Sequence, residues 1–117
     1  MLVRARRLRR RYLVFKVETR EKDRIWSRRE VEEALVSSIL ALHGVMGLVR
    51  SHFKLAKYDE QRGTGILSCS HKYVDLVRSA ILIAGLRLGD SSIHTIKVTG
   101  TLKKAIRIFN SLPKNTS

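Results

Sequence analysis

Between Tyr12 and Phe109 the spacing of apolar residues switches repeatedly between two periods, and the order of those switches leaves few folds open. Leu13, Phe15 and Val17 alternate with Tyr12, Val14 and Lys16, the period of a strand with one buried face. After the polar stretch 19–24, Ser27-Arg28-Arg29-Glu30 has the form of a capping box, with Trp26 and Val31 spaced as a hydrophobic staple. Val31, Ala34, Leu35, Ser38, Ile39 and Leu42 follow at helical spacing, and Gly44 predicts the end of that helix. Residues 48–58 read as a second strand, with Val49, Ser51, Phe53 and Leu55 on one side and a basic stripe of Arg50, His52 and Lys54 on the other. A polar connection of hairpin length, 59–63, leads to a third strand over 64–70. Ser70 or His71 starts a second helix carried by Val74, Val77, Ala80, Ile81 and Ala84, with its exit expected at Gly85 and Gly89. Residues 93–99 form a fourth strand with Ile96 and Val98 on the core side. Thr101 caps a short last helix bearing Leu102, Ala105, Ile106 and Phe109, and Pro113 stops it.

The order β-α-β-β-α-β predicts an α+β fold of the ferredoxin-like, RNA-recognition-like kind. Such a fold has a four-stranded antiparallel sheet with two helices on one face. The added C-terminal helix needs a partner for its apolar stripe, and the open sheet face offers Val14, Ile66 and Ile93. The expected organisation is a basic N-terminal arm over 1–11, one α/β sandwich domain over 12–110 and a tail over 111–117.

Lys and Arg number 24 against 10 Asp and Glu, a formal charge of +14. Such a field repels itself unless a polyanion neutralises it, which favours nucleic acid. A membrane surface is disfavoured: no apolar run reaches the ~20 residues of a span, and the Arg-rich start lacks aromatic anchors. With Cys69 as the sole cysteine there is no internal disulfide, and a cytoplasmic protein is expected. The candidate RNA-binding residues are the arm arginines Arg4, Arg6, Arg7, Arg9, Arg10 and Arg11, with Arg50 and Lys54 of the stripe and Lys103, Lys104 and Arg107 of the last helix.

Arg62-Gly63-Thr64-Gly65-Ile66-Leu67-Ser68-Cys69 lies where RNA-recognition domains carry K/R-G-F/Y-G/A-F-V-x-F/Y. Thr64, Ile66 and Cys69 occupy its aromatic positions, so the sheet is expected to lack a base-stacking platform and this mode of RNA recognition to be absent. Gly44-Val45-Met46-Gly47 follows a helix and so faces the wrong end of its dipole for a phosphate cradle; a helix cap and turn explain it. His43, His52, His71 and His94 show no metal-ligand spacing, and no titratable pair suggests acid–base chemistry, so neither a catalytic nor a metal site is expected. The rivals are a single-strand RNA-binding module and a small phosphohydrolase gripping phosphate through Arg50.

With its elements placed, the chain resembles the archaeal ribonuclease P protein component 2 family, which has a eukaryotic counterpart. The similar stretches are Arg11-Tyr12-Leu13-Val14-Phe15-Lys16-Val17, Gly44-Val45-Met46-Gly47-Leu48, Lys57-Tyr58-Asp59, Gly65-Ile66-Leu67-Ser68-Cys69 and the helix over 74–83. The resemblance implies a subunit of the enzyme that removes the 5′ leader of precursor tRNA, with the active site and its Mg²⁺ ions in the RNA and no cofactor bound by the protein. It also implies contact with ribonuclease P RNA and, through it, precursor tRNA. A barrel-shaped partner, ribonuclease P protein component 3, is implied as well, in a heterodimer or a two-plus-two assembly.

Overall fold

The computed structural model describes residues 9–20, 24–89 and 91–112. Strand β1 runs over Arg10–Thr19, helix α1 over Arg28–Ser51, β2 over Lys54–Asp59 and β3 over Thr64–Ser70. Helix α2 covers Val74–Arg87 after a 3-10 turn at His71–Tyr73, followed by β4 over Ser91–Thr99 and α3 over Leu102–Ser111. The strands form one sheet in the order β2-β3-β1-β4, every pair antiparallel. The predicted α+β fold with an added C-terminal helix is thus the observed one.

Alternation along β1 decides which side each residue serves. Leu13, Phe15 and Val17 point into the main core, where they meet Val31, Ala34 and Leu35 of α1 and Val77, Ile81 and Ala84 of α2. Val14 points the other way into a smaller cluster with Ile66, Ala105 and Phe109, so α3 does cover the open face. The N-terminus of α1 is held as its sequence dictates: the Ser27 hydroxyl accepts from the Glu30 amide at 3.1 Å, and the Glu30 carboxylate accepts from the Ser27 amide at 3.2 Å. By length and composition α1 is also apolar enough to cross a membrane. Its Val31, Ala34 and Leu35 are buried in the main core with the sheet residues Leu13, Phe15 and Val17, and the chain breaks helical geometry at Gly44.

Gly44 does close the first stretch of regular helix, as expected: its φ of +72° turns the chain. What the sequence did not signal is a second stretch of helix within α1, from there to Ser51, with His52 as a left-handed cap. The second strand therefore starts at Lys54 rather than residue 48, and Ser51 is buried on a helix rather than on a strand face. Gly85 is no exit. It lies inside α2, where an added Cβ would come within 2.9 Å of the Ile93 amide nitrogen and 3.0 Å of the Ser91 carbonyl oxygen. Only glycine lets α2 approach β4 this closely; Gly89, at φ +67°, follows the helix end.

Two irregularities in register correct the expected faces. Ala56 is an extra residue in β2 between Leu55 and Lys57, and Ile96 an extra residue in β4 between Thr95 and Lys97. Val98 packs on the main core as expected, but Ile96 sits at the bulge and is 36% exposed. Ile93 pairs with Val17 and belongs to the main core, so α3 does not cover it. Pro113 lies outside the described residues.

Candidate nucleic-acid interface

The strand registers lay out the α3 side of the sheet in rows. Lys54, Ser68, Tyr12 and Thr99 form one row, Lys57, Ile66, Val14 and Lys97 the next, and Asp59, Thr64, Lys16 and His94 the last. Strict alternation would turn Lys57 away from Lys54 and set Lys97 on the side of Ile93. Each bulge adds one residue and so reverses the faces of the residues beyond it. The two lysines thereby flank the apolar pair Ile66 and Val14 that α3 sits on.

Helix α3 crosses these rows obliquely. It starts beside Thr99, whose hydroxyl donates to the Thr101 carbonyl at 2.8 Å, and the Thr101 hydroxyl caps the Lys104 amide at 3.2 Å. At its far end the Arg62 guanidinium, in the β2–β3 turn, donates to the Phe109 carbonyl at 3.2 Å, and Lys57 Nζ lies 5.0 Å over the Phe109 ring. Ala105 and Phe109 are buried beneath the helix, while Lys103, Lys104 and Arg107 are exposed. These three cations share the outward side of α3, opposite its buried stripe, with Lys57 and Lys97 exposed in the strands beneath.

The oblique path leaves two corners of the sheet open. One holds Lys16, His94 and Lys97; Glu18 lies 3.9 Å from His94 there. The other holds Arg10, Tyr12 and Lys54. Arg10 is fixed: its Nη1 donates to the His52 carbonyl at 3.0 Å and to the Ser68 hydroxyl at 3.1 Å. The Arg9 carbonyl accepts from the His71 amide at 2.8 Å, and Arg11 Nη1 donates to the Arg10 carbonyl at 3.2 Å.

The expected RNA-binding residues thus divide. Lys103, Lys104, Arg107, Lys54 and Arg10 border one face. Arg50 does not, because it lies in the last turn of α1, and His52 is that helix's cap. The stripe of Arg50, His52 and Lys54 is therefore not formed. Arg10 and Arg11, taken as part of the arm, are paired strand residues opposite Ser70 and Cys69, and Arg9 is exposed just before them. Arg4, Arg6 and Arg7 lie outside the described residues. Tyr12, Lys16, Lys57 and Lys97 were missing from the sequence-based set. Alternation along β1 signals Tyr12 and Lys16 on the α3 side, but nothing local signals Lys57 and Lys97, which depend on the bulges.

Thr64 and Ile66 are buried, and Cys69 sits at 0% exposure in the main core. Burial pushes its thiol up to about 11, the opposite of an activated nucleophile. The Tyr58 hydroxyl, raised first by burial and then by Glu60, Asp59 and Glu30, donates to the Trp26 carbonyl at 3.1 Å. Among the described residues, no three His, Cys, Asp or Glu side chains come together as a metal site. This face can meet a polyanion with many cations.

Comparison with known proteins agrees in extent with the folded part. Ribonuclease P protein component 2 of Pyrococcus furiosus is 30% identical over 102 residues, 86% of this chain and 82% of that protein. The protein of the same name from Pyrococcus horikoshii is 32% identical over 103 residues, 85% and 81% of the two chains. A chain in the cryo-EM structure of yeast ribonuclease MRP superposes with a TM-score of 0.63 at 12% identity, covering 81% of this chain and 76% of that one, a likeness of fold alone. The model of the Rpp14/Pop5 family matches residues 11–109, from the start of β1 to the buried Phe109 of α3. The chain belongs to the Rpp14/Pop5 family.

Proposed function

We propose that this chain is a protein subunit of ribonuclease P that neutralises phosphates of the catalytic RNA, while the RNA holds the Mg²⁺ ions and removes the 5′ leader of precursor tRNA. The observation that carries this reading is the set of exposed cations around α3, a helix with no acidic residue: Lys103, Lys104 and Arg107 on α3, with Lys54, Lys57 and Lys97 in the strands beneath. Membership of the family, and relatives named ribonuclease P protein component 2, support the same assignment. The helical side differs in character. Val45, Met46 and Val49 of α1 and Leu82 and Leu86 of α2 are 57–77% exposed, which suits a protein partner. In this reading ribonuclease P protein component 3 docks there, leaving the α3 side to RNA.

Reconstitution tests the assignment. The full chain and component 3 are added to ribonuclease P RNA, and precursor-tRNA cleavage is followed at limiting Mg²⁺. Cleavage should rise when the chain is added, and the purified chain alone should cut nothing. Affinity for the RNA should fall steeply with salt, because each neutralised phosphate releases a counterion. About five contacts give a log–log slope near −3.5 to −4.5. An affinity indifferent to salt, or cleavage by the chain without RNA, would overturn the reading.

A further inference from the structure

The open corner between α3 and β2 holds an aromatic ring as well as cations. Tyr12 is half-buried on the α3 side of β1, the face that carries the stacking aromatics in RNA-recognition folds, although β3 supplies none here. One part of the ring packs on the small α3 cluster. Every buried side-chain nitrogen or oxygen among the described residues has a partner, and the Tyr12 hydroxyl has none among them, so it reaches solvent. Arg10 precedes Tyr12 on the same face and is pinned by two hydrogen bonds. Exposed Lys54 lies in the same row, beyond the small Ser68. At the β2 end of this row Lys54 is exposed, so the helix does not cover it.

We infer that Tyr12, with Arg10 and Lys54 together on its β3–β2 side, is a stacking site for one unpaired nucleotide of the bound RNA. The inference rests on the proposed RNA-binding role and sharpens it. Phosphate contacts by Lys103, Lys104 and Arg107 ignore whether a base is paired, whereas a ring can hold a base only when the base is out of its helix. Arg10 and Lys54, both on the β3–β2 side of the ring, would take a phosphate adjoining that nucleotide. A single ring cannot read sequence, so any base serves.

The probes are an RNA hairpin with a fully paired stem and the same hairpin with one unpaired adenosine in the stem, each titrated with the full chain at one salt concentration. The full chain should prefer the hairpin with the unpaired base by roughly 5- to 150-fold, the range of a single base–aromatic stack. Tyr12→Leu, which keeps apolar packing on the α3 cluster, should remove the preference while affinity for the fully paired stem stays within a factor of two or so. Tyr12→Phe should retain it. Tyr12→Trp should be quenched by the unpaired base beyond any change in the parent chain, whose own Trp26 is hydrogen-bonded to Ser91. Salt-sensitive binding to both hairpins without discrimination would overturn the stacking site and leave the RNA-binding role standing. So would an equal loss of affinity for both in Tyr12→Leu, which marks a packing defect. Failure to bind either hairpin at low salt would overturn both readings together.

Discussion

Cys69 and Gly85 are two positions where single atoms constrain the helix side of the sheet. Cys69 has a thiol pushed up to about 11 from an ordinary value of 9.0, chiefly by burial, with the nearby Arg10 guanidinium pulling the other way. A raised folded value means that the native state holds its proton more tightly than the unfolded chain. The contribution is fully present below pH 9 and is lost as pH rises from 9 towards 11. That loss amounts to roughly 2–3 kcal/mol, and Tyr58, raised in the same direction, adds to it at higher pH. Denaturant midpoints measured across this window should therefore fall, and Cys69→Ala should flatten the early part of the fall. Alkylation of the native protein at pH 8 should be slow and become fast in denaturant; rapid modification of the native chain would show that the thiol is not sealed. At Gly85 the constraint is backbone against backbone, since the atoms a Cβ would meet belong to Ser91, Ser92 and Ile93.

Helix α3 is the element on which the site depends, and its attachment is concentrated at one end. Phe109 is 3% exposed, contacted by Lys57 of the strand beneath and by Arg62 of the turn, whereas Leu102 is 40% exposed. Phe109→Ala should cost about 3–5 kcal/mol, the range for emptying a buried aromatic position, and Leu102→Ala under about 1 kcal/mol. Urea unfolding checks both, and equal costs would mean that α3 is not anchored as described. Much of this element was legible in the sequence because its signals are local: the Thr101 cap, the Ala105/Phe109 spacing and the cations opposite it. The Ser27/Glu30 capping box was legible for the same reason. The bulges were not. Alternation carries a face forward only while no residue is added, and Ala56 and Ile96 each add one. Nor could local reasoning see past Gly44: a left-handed glycine marks a turn, but burial of Gly47 and Ser51 belongs to a helix that continues beyond it.

At the scale of the whole molecule the two sides differ in their apolar surface. The most exposed apolar residues lie on α1 and α2, with Val45 at 66% and Leu86 at 77%, among exposed arginines such as Arg50, Arg78 and Arg87. On the far side of the sheet α3 displays mainly cations. The sequence revealed the sum of the charge but not this division, because which side a residue serves depends on strand pairing between distant segments. The pairing also decides where a truncation can be made. Removing residues 1–10 would delete Arg10, which pairs with Ser70 and ties the start of β1 to Ser68 and His52. Such a chain would lose stability as well as charge, and its binding defect would be uninterpretable. Removing residues 1–8 spares the strand and takes away only Arg4, Arg6 and Arg7 of the arginines. The unfolding midpoint of that shorter chain should match the parent's. If all three arginines lie on phosphates, the log–log salt slope for ribonuclease P RNA should become shallower by about 2 to 3. An unchanged slope at unchanged stability would remove the arm from the interface and leave the α3 side of the sheet to account for the whole of the binding.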